Sequence, residues 1–570
     1  MRIGFDDKPQ KDKRTLFCLL MLLLFCITNL FAQQTHNLQV IWTIPGNPVL
    51  MAYGYNLTSG DIDNDGHPDI IVSADTYLIS GGNTPCRGRV YVYYGNHIGE
   101  TIPDIVFKSP FAKGSTPTCV HSADLNGDGF DDIIMGEDQV EMGYGTVTIF
   151  WGGNPLDTIP DIILRGHRPL DGFFGLGISS GDVNGDSYDD LVVGAYGTYV
   201  SPAGIGAGRV YIYFGGPNFD TIPDVIINGG HHGQAECFGV TVGSGADVNG
   251  DGFDDLIVGA KNFSTGSFWG EGRIYIYYGG NPMDTSYDVA MLGEVPNQEL
   301  GWTPKVNLLK TEFQYDMACF GSAFWPNGWT STMNPGKVYV LFGGNPMDSI
   351  PDIWMIGRTE SAGLGMGVSN AGYINQTNSE GIISGAPVEY TQIGTAYLWQ
   401  GGSYLDTIPD GWLRGIQVDD DIGFYVASAG DVDGDGKDEV MVSNYPSSYT
   451  PKRVWVCKYI GTGIEENRQM LTVVRLPLEI YPNPARTQTA IRYSLTAKSK
   501  VSLKVYDVTG KLIKTFISNR ELQPVGTYNV NWDLKDNNHK RVSDGIYFVE
   551  VGVHNKEETI KEAKKIMIAR

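Results

Sequence analysis

A nine-residue acidic loop recurs five times along the chain in one register: DIDNDGHPD at 61–69, DLNGDGFDD at 124–132, DVNGDSYDD at 182–190, DVNGDGFDD at 247–255 and DVDGDGKDE at 431–439. Oxygen-bearing side chains fall at positions 1, 3, 5 and 9. These are Asp61, Asp63, Asp65 and Asp69; Asp124, Asn126, Asp128 and Asp132; Asp182, Asn184, Asp186 and Asp190; Asp247, Asn249, Asp251 and Asp255; and Asp431, Asp433, Asp435 and Glu439. Four of the five copies place Gly at position 6. In a tight loop, alternate side chains turn inward, and a hard cation such as Ca²⁺ takes roughly 6–8 oxygen ligands. The reading is therefore about five Ca²⁺ sites, with the backbone carbonyls of His67, Phe130, Tyr188, Phe253 and Lys437 at position 7 completing each set. Asp and Asn also bond neighbouring backbone amides and shape turns without metal. Five copies in one register favour the cation over isolated acidic turns.

A helix-flanked calcium loop needs a carboxylate at position 12. That position holds Val72, Met135, Val193, Val258 and Val442, within the runs DIIVSA, DIIMGE, DLVVGA, DLIVGA and EVMVSN. Such β-branched runs are typical of buried strands. The loops thus join two strands.

Each loop belongs to a repeat of about 60 residues containing four strand candidates. The third strand recurs seven times, from GRVYVYYG at 88–95 to KRVWVCKYIG at 452–461. Repeats of this length with four strands each indicate a β-propeller. The fourth strand follows the first six units only, and a seventh candidate, LQVIWTIPG at 38–46, stands alone before unit one. Closure of a ring requires this N-terminal strand to complete the last blade, formed by 422–458, which removes an exposed sheet edge. The expectation is an all-β chain with a seven-bladed propeller over 37–460. Blades five and six have lost the acidic loop: LLKTEFQYD (308–316) carries Lys310 and GYINQTNSEG (372–381) is mostly uncharged, so neither is expected to hold metal.

At this point the chain resembles the FG-GAP repeat of integrin alpha subunits, with its FG dipeptide, DxNxDGxxD loop and GxVYVY strand. Phe174–Gly175 and Phe238–Gly239 match the opening dipeptide, with weaker matches at Tyr53–Gly54, Leu300–Gly301, Leu364–Gly365 and Ile422–Gly423. The resemblance covers about three quarters of the chain. It implies calcium loops on one face of a seven-bladed propeller, with the opposite face open to ligands. The long leg domains of integrins are absent, so integrin-style signalling does not carry over.

Residues 1–32 read as a signal peptide: a basic start, the apolar run LFCLLMLLLFCITNLFA, and small Ala32. Cys26 follows Leu24 and Phe25, which does not suit lipidation, and no other segment could span a bilayer as a helix. Five cysteines remain after 1–32, an odd number without CxxC spacing, and buried thiols are expected rather than a disulfide framework. Residues 33–477 carry 20 Lys/Arg and 52 Asp/Glu, a net charge of −32, which disfavours nucleic acid.

Beyond a linker at 461–477, residues 478–570 carry 16 Lys/Arg and 10 Asp/Glu and read as short alternating strands, the pattern of a small immunoglobulin-like β-sandwich. YPNP (481–484), VYDVTG (505–510), GTYNVNWD (526–533) and SDGIYF (543–548) resemble the C-terminal sorting domain of the bacterial type IX secretion system. That resemblance implies contact with the secretion machinery and a secreted or cell-surface location.

None of the nine histidines sits in a convincing constellation; His231–His232 reads as a solvated pair, and no catalytic residue is assigned. GISSG at 177–181 matches a nucleophile pattern by letters, but Ser179 leads into an acidic loop rather than from a strand into a helix. The favoured class is an exported binding or adhesion protein with structural calcium and a protein or glycan ligand. A polysaccharide hydrolase or lyase built on loops such as 76–87, 196–207 and 261–271 is the alternative, and an architectural envelope role the third.

Overall fold

The computed structural model describes residues 34–46, 52–75, 88–111, 118–461 and 479–568, apart from short segments within the last two ranges. The signal segment, the insertion 76–87, Cys86, His231, His232 and residues 462–477 of the linker lie outside the described residues. The chain forms two compact units, Met1–Gly461 and Thr462–Arg570.

The first unit is built from seven antiparallel sheets. Blade one has the strands Ala52–Gly60, Asp69–Asp75, Arg89–Tyr93 and Ile105–Lys108, hydrogen-bonded in chain order. Blades two to five repeat that plan. The second strands are apolar on both faces; Asp132–Glu137, Asp190–Ala195 and Leu256–Ala260 are buried along their whole length. Unlike a sheet that faces water on one side, each blade packs between two others, which is why these runs do not alternate.

Blade seven has three consecutive strands, Ile422–Gly430, Glu439–Asn444 and Arg453–Tyr459, and its outer strand is Leu38–Pro45 from the N-terminal end. Pairing is antiparallel from Leu38 opposite Tyr459 to Pro45 opposite Arg453, with a register shift between Val40 and Trp42. The propeller is a seven-bladed ring closed by its own N-terminal strand. Just before it, Gln34–His36 adds a fifth strand to blade six, pairing with Gly411–Arg414. Asn37 (φ 53°) turns the chain from one blade to the next, and its side-chain amide donates to the Asp410 carbonyl at 2.9 Å. The ring's pairing therefore begins before residue 37.

The FG dipeptides lie at the joints between blades. Phe174 forms a parallel bridge with Gly145 of the preceding blade, and Phe238, Leu300, Leu364 and Ile422 do the same with Gly208, Gly272, Gly336 and Gly394. The glycine that follows must adopt positive φ, 93° at Gly175, and a Cβ on Gly136 of the preceding blade would lie 2.0 Å from the Gly175 carbonyl. Side chains at these paired positions would force the blades apart.

The first strands line the axis. A cavity of about 470 Å³ is bounded by residues of all seven blades, among them Thr58, His121, Ser180, Ser244, Asn307, Ser369 and Ser428.

Among its described residues the second unit has seven strands in two sheets. Glu479–Tyr481, Thr489–Leu495 and Gly526–Trp532 form one; Leu512–Gln523, Ser499–Asp507, Gly545–His554 and Thr559–Ile568 form the other, in that order. Both contribute to one core, with Ile491, Tyr493 and Trp532 from the first and Leu503, Val505, Val549 and Val551 from the second. This is a β-sandwich.

Candidate metal centres

Each acidic loop connects the first and second strands of its blade, between Gly60 and Asp69 in blade one for instance. The position 1 carboxylate organises the turn. Asp124 accepts the backbone N–H groups of Gly127 (2.8 Å), Asp128 (3.1 Å) and Gly129 (2.8 Å). Asp182 and Asp247 repeat the arrangement, Asp182 with Gly185, Asp186 and Ser187 and Asp247 with Gly250, Asp251 and Gly252. In blades one and seven, Asp61 and Asp431 accept from positions 5 and 6, Asp65 and Gly66 or Asp435 and Gly436. The position 5 carboxylates of Asp65, Asp128, Asp186, Asp251 and Asp435 each accept the N–H of position 7.

Position 9 is the buried end of each site. Asp69 accepts the N–H groups of Ile62 (3.0 Å) and Gly95 (2.9 Å), and Asp132, Asp190 and Asp255 have the same pair of donors in their own blades. Burial pushes the carboxyls of Asp69, Asp132 and Asp255 up to about 8 and that of Asp190 to about 7, against the pull of these amides. Glu439 is pushed up to about 8 by the same cause, followed by the charge of Asp433.

Carboxylates converge most clearly in blades one and seven. Ligand atoms of Asp61, Asp63 and Asp69 lie within 4.8 Å of one another, and so do those of Asp431, Asp433 and Glu439. Asp63 Oδ1 and Glu439 Oε1 are buried with no hydrogen-bond partner. Buried carboxylate oxygens without donors are costly unless a cation meets them, and an all-oxygen set fits a hard cation. In blades two to four, position 3 is Asn, and the amides of Asn126, Asn184 and Asn249 donate to the position 5 carboxylate at 2.8–3.1 Å. Their carbonyl oxygens accept the N–H of that same residue at 2.8 Å.

Blade five is shaped differently. The N–H of Thr311 donates to Asp316, and the Thr311 hydroxyl bridges Tyr315 and Phe313. Lys310 and Glu380, from blades five and six, both lie on the wall of the axial cavity. Ser179 is not an exposed nucleophile; its hydroxyl accepts the N–H of Ser244 at 3.0 Å, from the next blade.

One set of residues was missed by reading for metal ligands alone. The acid at position 8 reaches into the preceding blade, where Asp131 and Asp254 accept the N–H of a position 1 residue, Asp61 and Asp182 respectively; Asp316 does the same with Asp247, which moves the blade five loop one residue on from 308–316. Glu380 and Asp438 do likewise with Lys310 and Tyr373. In Asp131–Asp132, Asp254–Asp255 and Asp438–Glu439 the consecutive acids were the available signal, since only one of each pair can face the loop interior; Asp316 and Glu380 are followed by Met317 and Gly381 and carried no such signal.

Fold and loops together define the class: a β-propeller of FG-GAP repeats with an acidic loop in five blades, joined to a β-sandwich tail. Residues 61–135 match the FG-GAP-like repeat, 174–213 and 238–277 the FG-GAP repeat, and 479–569 the secretion system C-terminal sorting domain. The chain is 30% identical over 228 residues to integrin alpha-5 of Xenopus laevis, covering 37% of this chain and 20% of that protein. It is 31% identical over 232 residues to integrin alpha-PS2 of Drosophila melanogaster, covering 36% of this chain and 15% of that one. Phosphatidylinositol-glycan-specific phospholipase D of Bos taurus is 29% identical over 227 residues, 37% of this chain and 26% of the relative. The chain thus spans about a quarter or less of these relatives' lengths. The sorting tail indicates export by a type IX system to the cell surface or the extracellular space. No helix among the described residues is long and apolar enough to cross a membrane.

Proposed function

We propose that this is an exported calcium-binding propeller, acting as a secreted or surface-held binding or adhesion protein in which calcium is structural. The observation that carries the reading is the pairing of converging carboxylates with orphaned buried oxygens in the loops of blades one and seven. Asp61, Asp63, Asp65 and Asp69 would hold one ion, and the corresponding residues of the other four loops would hold theirs. A bound dication supplies charge neutralisation; the loops supply a pocket already shaped by backbone amides. Similarity to integrin alpha chains and a sorting tail support a role in binding outside the cell. The sandwich is the part that engages the secretion machinery, and a protein or glycan is the ligand class of the propeller.

The test has two parts. Metal analysis of the mature protein at millimolar calcium should find at least three bound ions, and fewer would defeat the calcium assignment. Glycan and protein binding screens, run beside a polysaccharide degradation assay, should show binding without turnover. Degradation of a glycan would transfer the function to the hydrolase or lyase class.

A further inference from the structure

Blade seven departs from the other loop-bearing blades at the residue after its third-strand aromatic run. In blades one to four that residue is Tyr94, Trp151, Phe214 or Tyr278, and its backbone N–H donates to Asp104, Asp161, Asp224 or Asp288 near the start of the fourth strand at 2.7–2.9 Å. Blade seven has no such hairpin, because its fourth strand arrives from the N-terminal end of the chain. The residue there is Lys458. Its Nζ lies 2.5 Å from Asp433 Oδ2 and 2.7 Å from Asp435 Oδ2, the position 3 and 5 side chains of the loop.

A second difference lies at position 9. In blades one to four the second oxygen of the Asp takes an N–H from Gly95, Gly152, Gly215 or Gly279. Blade seven has Glu439 instead, fully buried, with Oε1 unpartnered. The loop therefore keeps a buried carboxylate oxygen without a donor while two of its other acids are already held by an ammonium group.

Resting on the calcium reading above, we infer that Lys458 is an internal counter-ion for the blade seven loop, making this the weakest of the five sites and the last to fill. Calcium entering here must displace the ammonium from Asp433 and Asp435 and leave it to water, a cost the other four loops do not carry. The same contact ties down the loop at low calcium in the blade where the ring is closed, so the closure does not depend on a bound ion.

Calcium titration of the mature full chain by calorimetry, with bound metal counted independently, is the experiment. Wild type should show four tighter ions and one weaker, and Asp431→Ala should remove the weak phase alone. Lys458→Met should tighten that phase roughly tenfold, a change of about 1.4 kcal/mol, and lower the melting temperature in chelator. Lys458→Gln gives the same readout should the Met variant fail to fold. Five equivalent sites in wild type, or an unchanged fifth site in both variants, would overturn the inference while leaving the calcium reading intact. Fewer than three bound calcium ions would overturn both.

Discussion

Asp131 and Asp61 clasp each other across the boundary between blades two and one: the Asp131 carboxylate accepts the Asp61 N–H at 2.9 Å, and the Asp131 N–H donates to the Asp61 carbonyl at 3.1 Å. The same reciprocal pair joins Asp254 to Asp182, Asp316 to Asp247, Glu380 to Lys310 and Asp438 to Tyr373. Blade one has Pro68 at this position, which instead packs against Gly430 of blade seven. The clasp anchors the first residue of three acidic loops, Asp61, Asp182 and Asp247, to the neighbouring blade, so loop geometry and ring integrity are coupled there.

Asp131→Ala should cost about 1–3 kcal/mol, the range for leaving a buried donor without its acceptor. Asp131→Asn, which keeps an acceptor, should cost less. Asp316→Ala acts at a distant joint, so the double variant should be additive to within about 0.5 kcal/mol. Denaturant unfolding measures all three; full stability in both alanine variants would show that the clasps do not hold the blades.

Closure of the ring rests on Trp42 and Ile44, both buried, and the Trp42 indole N–H donates to the Glu100 carbonyl at 2.7 Å. Trp42→Ala should destabilise the propeller by about 3–5 kcal/mol. Deleting Gln39–Ile44 should expose the edge of Arg453–Tyr459 and drive association. A deletion variant that stays monomeric by size-exclusion chromatography, with an unchanged melting temperature, would contradict closure by this strand.

Chelation of the calcium-loaded protein should lower its melting temperature substantially. Binding to the folded state alone stabilises by about 2.7 kcal/mol per site when free calcium is about 100 times the dissociation constant. Magnesium should restore little, since it dehydrates reluctantly. Asp124→Ala and Asp182→Ala should each forfeit part of the gain. A melting curve indifferent to chelator would remove calcium from the scaffold.

Glu380 provides a pH dependence separate from the five acidic loops. Burial pushes its carboxyl up to about 7, although the Lys310 amide and charge and the Asn370 side chain favour the ionised form. The folded state therefore holds a proton that the unfolded chain releases near 4.5, and stability falls as pH rises from about 4.5 to about 7. The penalty above pH 7 is on the order of 3 kcal/mol. Glu380→Gln should be near neutral at pH 5 and stabilising at pH 8, measured by unfolding at saturating calcium. Equal effects at both values would rule out the shift.

Much of this fold was legible in the order of residues. The strand assignments and the count of seven follow from repetition, because each blade is a local unit whose register is set by its own turns. The pairing of Leu38–Pro45 with Arg453–Tyr459 could be inferred despite its separation in sequence, since one strand was missing at one end and one was spare at the other. The acidic loops were legible for the same reason: the side chains at positions 1, 3, 5 and 9 lie within nine residues.

Tertiary structure decided what depends on residues from different repeats meeting. No local pattern distinguishes an acid that faces into its own loop, such as Asp132, from one that reaches the preceding blade, such as Asp131; packing of one blade on the next makes that division. The fifth strand of blade six, Gln34–His36, was likewise invisible, because three residues carry too little periodicity to read. Lys458 looked like one more strand residue until the fold brought it beside Asp433 and Asp435. A repeat determines its own shape from within; its charge balance is decided by the side chains that its neighbours and the closing strand place around it.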